Sequence, residues 1–344
     1  MRKRIAVTPW RMRGERLHQK GCIIIHHMDI QSLSESIRSN VSSVIVGKDD
    51  LIDKLFIALV TSGHVLLQDV PGTGKTMLAK ALAKSVECEF KRVQFTPDLL
   101  PSDVSGISYF NPKSSEFVFR PGPLFTNILL GDEINRASPR TQSSLLECME
   151  ERQITIDGIT HTLEEPFMVI ATQNPLEQQG TFPLPEAQLD RFLFQLSMGY
   201  PETDESIQIL RRFIEGKPLQ ELQAVVTVKQ LIDARETAQG VHVSDPMLEY
   251  ITQLAERTRG DEAVVIGISP RGCQALLKAA QVQAILGGRG YVIPDDVKTL
   301  AIPVWAHRLV LKGTYLSRSS SSASEVISRI LQEVPVPTED PEAL

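Results

Sequence analysis

Eight residues, Asp69-Val70-Pro71-Gly72-Thr73-Gly74-Lys75-Thr76, constrain this chain more than any other stretch. They stand between an apolar run that reads as a buried strand, His64 to Gln68, and a helical pattern from Thr76 to about Val86. A glycine-rich turn in that context lets backbone N–H groups curl around phosphate oxygens at the positive end of a helix. Lys75 adds a point charge, and the Thr76 hydroxyl can ligate Mg²⁺. Pro71, Gly72, Thr73, Gly74, Lys75, Thr76 and Met77 therefore form a candidate phosphate-binding loop. One position departs from the G-x-x-x-x-G-K-[ST] pattern: Asp69 stands where it asks for glycine. Aspartate tolerates unusual φ better than most residues, so the loop is expected to keep its shape.

After this loop and helix comes a strand-like run, Phe90 to Phe95. A βαβ start of this kind implies a parallel sheet with helices on its faces. Further apolar strands read at 128–132, 167–172 and 192–196, giving about five. Ahead of the first strand, Ile52, Leu55, Phe56 and Leu59 keep helical spacing, with Gly63 as the stop. Two alternating segments interrupt the pattern: 116–120, and 154–156 joined through Asp157-Gly158 to 159–161, a hairpin signature. Beyond Tyr200-Pro201 the strand signal fades. Helical stretches near 203–216, 228–239, 245–258, 270–287 and 294–307 give a mostly α second domain, followed by a serine run, one more helix and an acidic tail over 335–344.

Within 344 residues no apolar run reaches the roughly 18 that a membrane span needs. The formal charge of −6 is uneven, because residues 1–28 carry seven basic groups and one acid. That leaves 29 basic and 41 acidic groups on the remainder, a balance that repels a polyphosphate backbone and disfavours nucleic-acid binding. The basic stretch 1–28 lacks the apolar core and cleavage site of a secretory signal. It reads as an extension, or as sequence upstream of a start at Met28, with a targeting segment as the alternative. Cys22, Cys88, Cys148 and Cys273 lie far apart without a CxxC, and are expected to be reduced thiols of a cytoplasmic protein.

A second chemical element is the strand Ile128-Leu129-Leu130-Gly131 ending in Asp132-Glu133. A strand end beside the loop sets Asp132 to hold Mg²⁺ through water and Glu133 to polarise an attacking water. General-base help of that kind is worth about 10² to 10⁴ in rate. Asn174 directly follows another strand, where its amide would reach a γ-phosphate or orient the water; an Asn-Pro pair also reads simply as a turn. Arg191 precedes the last strand and Arg271 opens a helix of the second domain. Taken alone, both are ordinary surface arginines.

Together these residues carry a resemblance. Gly122-Pro123-Leu124-Phe125, Leu130 to Ala137, Thr141 to Glu147, Ala171 to Pro175 and Pro185 to Phe192, in that order, resemble the MoxR family of AAA+ ATPases over about residues 30–310. The resemblance implies an α/β P-loop AAA+ core over 29–201, with a parallel five-stranded sheet, an insert at about 97–122 and a hairpin at about 153–163. It also implies an all-α lid over 202–334. ATP and Mg²⁺ are the implied cofactors, bound between neighbours of a homo-oligomeric ring, commonly a hexamer. On the same basis Asn174 resembles sensor 1, Arg191 the arginine finger offered to the adjacent subunit, and Arg271 sensor 2. Val46-Gly47 resembles the stretch that packs the adenine, and Arg136 is a further candidate for an inter-subunit contact. The variation at Asp69 falls within the family.

Three functions follow. The first is a chaperone-like ATPase that remodels or matures a protein client, with von Willebrand A domain proteins as family-implied partners. The second is a nucleic-acid-stimulated motor, against which stand the acidic balance and the 6% aromatic content. The third is a nucleotide-gated scaffold without useful turnover, which an intact Glu133, Asn174 and Arg191 argue against. Stimulation by a protein, stimulation by DNA or RNA, and absence of turnover separate them.

Overall fold

The computed structural model describes residues 30–70, 72–113, 115–174, 180–216, 218–312 and 320–337. The basic leader, Pro71 and the end of the acidic tail lie outside them. Helix α1 (30–42) leads through a turn to α2 (Asp49–Val60), whose 52, 55, 56 and 59 positions face the core as their spacing requires. Then come β1 (Val65–Gln68), α3 (Lys75–Ser85) and β2 (Phe90–Gln94). The insert is α4 (Pro101–Ser105) with the ribbon β3 (Gly106–Asn111) and β4 (Glu116–Pro121). Next are β5 (Ile128–Asp132), a 3₁₀ turn at Ile134–Arg136 and α5 (Pro139–Glu151). The hairpin β6 (Gln153–Ile156) and β7 (Ile159–Thr162) precedes β8 (Met168–Gln173), the short α6 (Glu186–Leu189) and β9 (Phe194–Leu196).

The five core strands lie parallel in the order β2-β5-β8-β1-β9. With β8 between β1 and β5, the segments leaving the carboxyl ends of all three emerge side by side, where open parallel sheets hold ligands. Alternation assigns the faces. Val65, Leu67, Ile128, Leu130, Met168 and Ile170 pack with α2, α3 and the second domain, while Leu66, Leu129, Val169 and Ala171 pack against α5 and the insert. The insert and the hairpin meet through Phe119 stacked on His161 at 4.2 Å.

The second domain contains α7 (Thr203–Glu215), α8 (Pro218–Glu221), α9 (Val228–Gln239), α10 (Asp245–Gly260), α11 (Pro270–Leu286), α12 (Pro294–Trp305), a 3₁₀ turn at Ala306–Arg308 and α13 (Ser320–Glu333). It is helical as expected, with one addition: β10 (Val264–Ile266) pairs antiparallel with β11 (Val310–Leu311). Strands this short, 44 residues apart, leave no periodicity to read.

Candidate active site

The loop after β1 has the form its sequence requires. Gly72 and Gly74 carry φ of +87° and +94°, a left-handed backbone that a β-carbon would strain. Gly74 caps α3 with no side-chain cap bond, and the first turn holds no acid. The N–H groups that open a helix are the kind of donors that suit a phosphate. Lys75 Nζ donates to the carbonyls of Asp69 and Val70, both at 3.1 Å, so the ammonium is folded back on its own loop. Thr76 is half-buried and Met77 exposed in the first turn. Asp69 corrects the expectation placed on it: its φ is not positive. Its buried carboxylate instead accepts from Ser197 Oγ at 2.7 Å and from the N–H groups of Met198 and Gly199 at 2.6 and 3.1 Å.

Two strands away, Asp132 is buried and its two oxygens are engaged. Arg92 Nε lies 2.6 Å from Oδ2, and the Thr172 hydroxyl donates to Oδ1 at 3.2 Å. Thr172 also accepts the N–H of Glu133 at 2.9 Å. Glu133 adopts φ +57°, rare for a side chain with a β-carbon and common where a functional group must be aimed. Its carboxylate accepts from Gln94 Nε2 at 2.9 Å and pairs with Arg136 at 3.2 Å, so Arg136 has an intrachain partner. Half-buried Asn174 follows β8 directly, on the same carboxyl edge. A hydroxyl, a carboxylate and the folded-back lysine beside the N–H groups of a helix start suit Mg²⁺ and triphosphate.

Val46 is buried in the turn before α2, and Gly47 has φ +68° with α7 pressed against it. A β-carbon there would fall 1.7 Å from Glu205 Oε1. Lys48 pairs with Glu205 at 3.5 Å, and Arg212 donates to the carbonyls of Ser42 and Ser43 at 2.8 and 2.9 Å. Helix α7 therefore lies along the candidate adenine stretch.

Arg191 and Arg271 are elsewhere. Both pair with Glu150 near the end of α5, at 3.2 and 3.0 Å, and line a cleft of about 190 Å³ with Thr61, Gly63, Gln274 and Lys278. Thr61 and Gly63 precede β1, whereas the phosphate loop follows it. The four residues of β1 separate the two ends by roughly 13 Å. The structure thus gathers Lys75, Thr76, Asp132, Glu133 and Asn174 on one edge and Arg191 with Arg271 on the other.

Residues 64–194 match the family described as "ATPase family associated with various cellular activities (AAA)", and residues 256–330 match the AAA lid domain. The chain is 48% identical over 311 residues to the uncharacterized protein YeaC of Bacillus subtilis, covering 90% of this chain and 97% of that one. It is 40% identical over 307 residues to Chaperone MoxR1 of Mycobacterium tuberculosis, covering 86% and 80%. The chain belongs to the MoxR family of AAA+ ATPases. A Cytophaga hutchinsonii protein assigned as an ATPase, solved as a crystal structure, superposes with TM-score 0.85 at 34% identity, covering 94% of this chain and all of that one.

Four further residues of this MoxR-family ATPase shape the site. Gln94 and Arg92 sit on one face of β2, register partners of β5, but alternation alone does not reveal which strand lies alongside. Glu150 is one of several acids in α5. Arg308 is buried with Asp190 at 2.7 Å and donates to the carbonyls of Phe192 and Leu193, pinning the end of the lid beside Arg191. Each bond spans tens of residues, so no local pattern announces it. Cys88, Cys148 and Cys273 are free, and burial raises all three thiols, Cys88 to about 12. Among the described residues no helix is long and apolar enough to cross a membrane.

Proposed function

We propose that this MoxR-family ATPase hydrolyses Mg·ATP at seams between subunits of a ring, commonly a hexamer, and uses the cycle to remodel or mature a client protein complex in the cytoplasm. The observation that carries the reading is the separation of Arg191 and Arg271 from their own phosphate loop. Two guanidinium groups on the opposite edge of the sheet suit a neighbour's nucleotide better than their own.

In this reading the loop N–H groups and Lys75 hold the phosphates, and Val46-Gly47 packs the adenine. Thr76 and Asp132 supply the hydroxyl and carboxylate for Mg²⁺, which when bound neutralises charge on the phosphate oxygens. Glu133 takes the proton of the attacking water, which Asn174 orients. Arg191 and Arg271 of the adjacent subunit stabilise charge on the transferring group, a contribution worth roughly 10³ to 10⁵ in kcat for an arginine finger. The face of α7 supports the seam. Leu210, Phe213 and Ile214 are 63%, 84% and 82% exposed on the helix that lies along the Val46-Gly47 turn, a grouping that isolated soluble subunits seldom leave uncovered. The chaperone name of the Mycobacterium tuberculosis relative supports a protein client, and a von Willebrand A domain partner follows from the family resemblance.

Sedimentation and turnover measured together over a concentration series test the proposal. Turnover per subunit is expected to rise as rings form, and concentration-independent turnover would overturn the shared site. A protein client is expected to stimulate turnover, whereas stimulation by DNA or RNA alone would point to the motor.

A further inference from the structure

Asp69 occupies a position where the loop pattern asks for glycine, and three of its groups go to three different parts of the molecule. Its N–H continues the β1–β8 ladder to Gln173 O at 3.3 Å, one residue before Asn174. Its carbonyl accepts from Lys75 at 3.1 Å. Among the described residues its carboxylate meets three donors: Ser197 Oγ, Met198 N–H and Gly199 N–H. Residues 197–199 leave β9 and lead within a few residues into α7.

Helix α7 has no buried residue. Apart from its connection to the core, the bonds that locate it are polar, through Glu205 to Lys48 and through Arg212 to the carbonyls of Ser42 and Ser43. Elements held by few apolar contacts open and shift at low free-energy cost, so their position depends on each tether. The Asp69 carboxylate joins the root of α7 to the phosphate loop, and the other ties join its length to the Val46-Gly47 turn.

We infer that Asp69 is a positioning residue that couples the phosphate loop to α7, so that nucleotide in the loop is transmitted to the entrance of the lid. The inference rests on the loop being the nucleotide site. A glycine would restore the sequence pattern and cut the link. An asparagine would keep the shape but turn an amide NH₂ toward a donor, since Met198 N–H faces one oxygen while Ser197 and Gly199 share the other.

The test uses the full chain with ADP and MgCl₂ as probe, comparing wild type, Asp69→Gly, Asp69→Asn and Ser197→Ala. Hydrogen exchange over residues 197–216 is read with and without saturating ADP, and affinity is read by titration. Wild type is expected to gain protection in that segment. Asp69→Gly and Asp69→Asn are expected to bind ADP roughly tenfold more weakly, the scale of one lost charge-assisted hydrogen bond, and to lose the protection even when saturated. Ser197→Ala is expected to fall between. If Asp69→Gly does not fold, Asp69→Asn decides. A variant that is fully protected by ADP, or a wild type that binds ADP without any change in 197–216, overturns the coupling. A wild type that binds no ADP overturns instead the assignment of the loop.

Discussion

Arg191 and Arg271 stand 80 residues apart in the chain and meet on one carboxylate, that of Glu150, at 3.2 and 3.0 Å. Two planar guanidinium groups sharing a single negative charge keep one positive charge uncompensated, and a phosphate oxyanion complements it. Arg191→Ala and Arg271→Ala are each expected to bind ATP near the wild-type level, and Arg191→Ala to lose about 10³-fold or more in turnover. Mixing Arg191→Ala with Lys75→Ala subunits is expected to restore activity, because some seams then combine an intact loop with an intact pair of arginines. A mixture no more active than its components would show that the arginines serve their own subunit.

Glu133 holds a left-handed backbone while its carboxylate is engaged by Gln94 and Arg136. Glu133→Gln keeps the shape and removes the proton acceptor. Turnover is expected to drop about 10²- to 10⁴-fold with ATP still bound, as measured by single-turnover hydrolysis and equilibrium dialysis. An unchanged kcat would take Glu133 out of the chemistry.

Burial dominates the behaviour of His64. Its Nε2 donates to Met149 O at 2.9 Å and its Nδ1 accepts from Val169 N–H at 3.0 Å, so the neutral ring is the form that fits. Removal from water lowers its pKa from 6.5 to about 4, with Arg152 and Arg271 adding to the effect and the Met149 bond opposing it. The unfolded chain therefore takes up a proton between pH 6.5 and 4 that the folded chain refuses. Stability contributed by neutral His64 is full above that window and is lost as pH falls through it, by up to about 3 kcal/mol. Urea midpoints from pH 7 to 4.5 are expected to fall for wild type and to fall less steeply for His64→Gln. Parallel slopes would assign the acid sensitivity to other groups, among them buried His307, whose pKa is also lowered.

The sheet and most helices were legible in the chain because their signals are local: apolar runs for β1, β5 and β8, and periodicity for α2 and the lid helices. The loop was legible because phosphate chemistry imposes a spacing. What escaped is long-range. The neighbour of β2, the meeting of two arginines on Glu150, and the engagement of Asp69 by residues 128 to 130 positions later depend on which elements come together, and short-range patterns do not encode that. At Asp69 the φ is ordinary, so hydrogen-bonding capacity rather than backbone tolerance accounts for the residue.

Beside the apolar cluster that lid and core share, one buried cation ties the two together. Arg308 reaches the Asp190 carboxylate at 2.7 Å and the carbonyls of Phe192 and Leu193 at 2.7 and 3.3 Å, and it also bonds Val304 O. Its side chain is 4% exposed. Removing Arg308 takes the cation from the half-buried Asp190 carboxylate and this donor from the carbonyls of Phe192 and Leu193, and breaking a buried pair costs about 3 to 5 kcal/mol. Arg308→Met is expected to lose stability on that scale in urea unfolding. Asp190→Asn, which leaves the carbonyl bonds in place, is expected to lose less. The same anchor sets the lid so that Arg271 meets Arg191, so the turnover of Arg308→Met, measured where the protein is fully folded, is expected to fall while ATP affinity holds. A loss below about 1 kcal/mol, the range of exposed pairs, would mean that this cation does not anchor the lid.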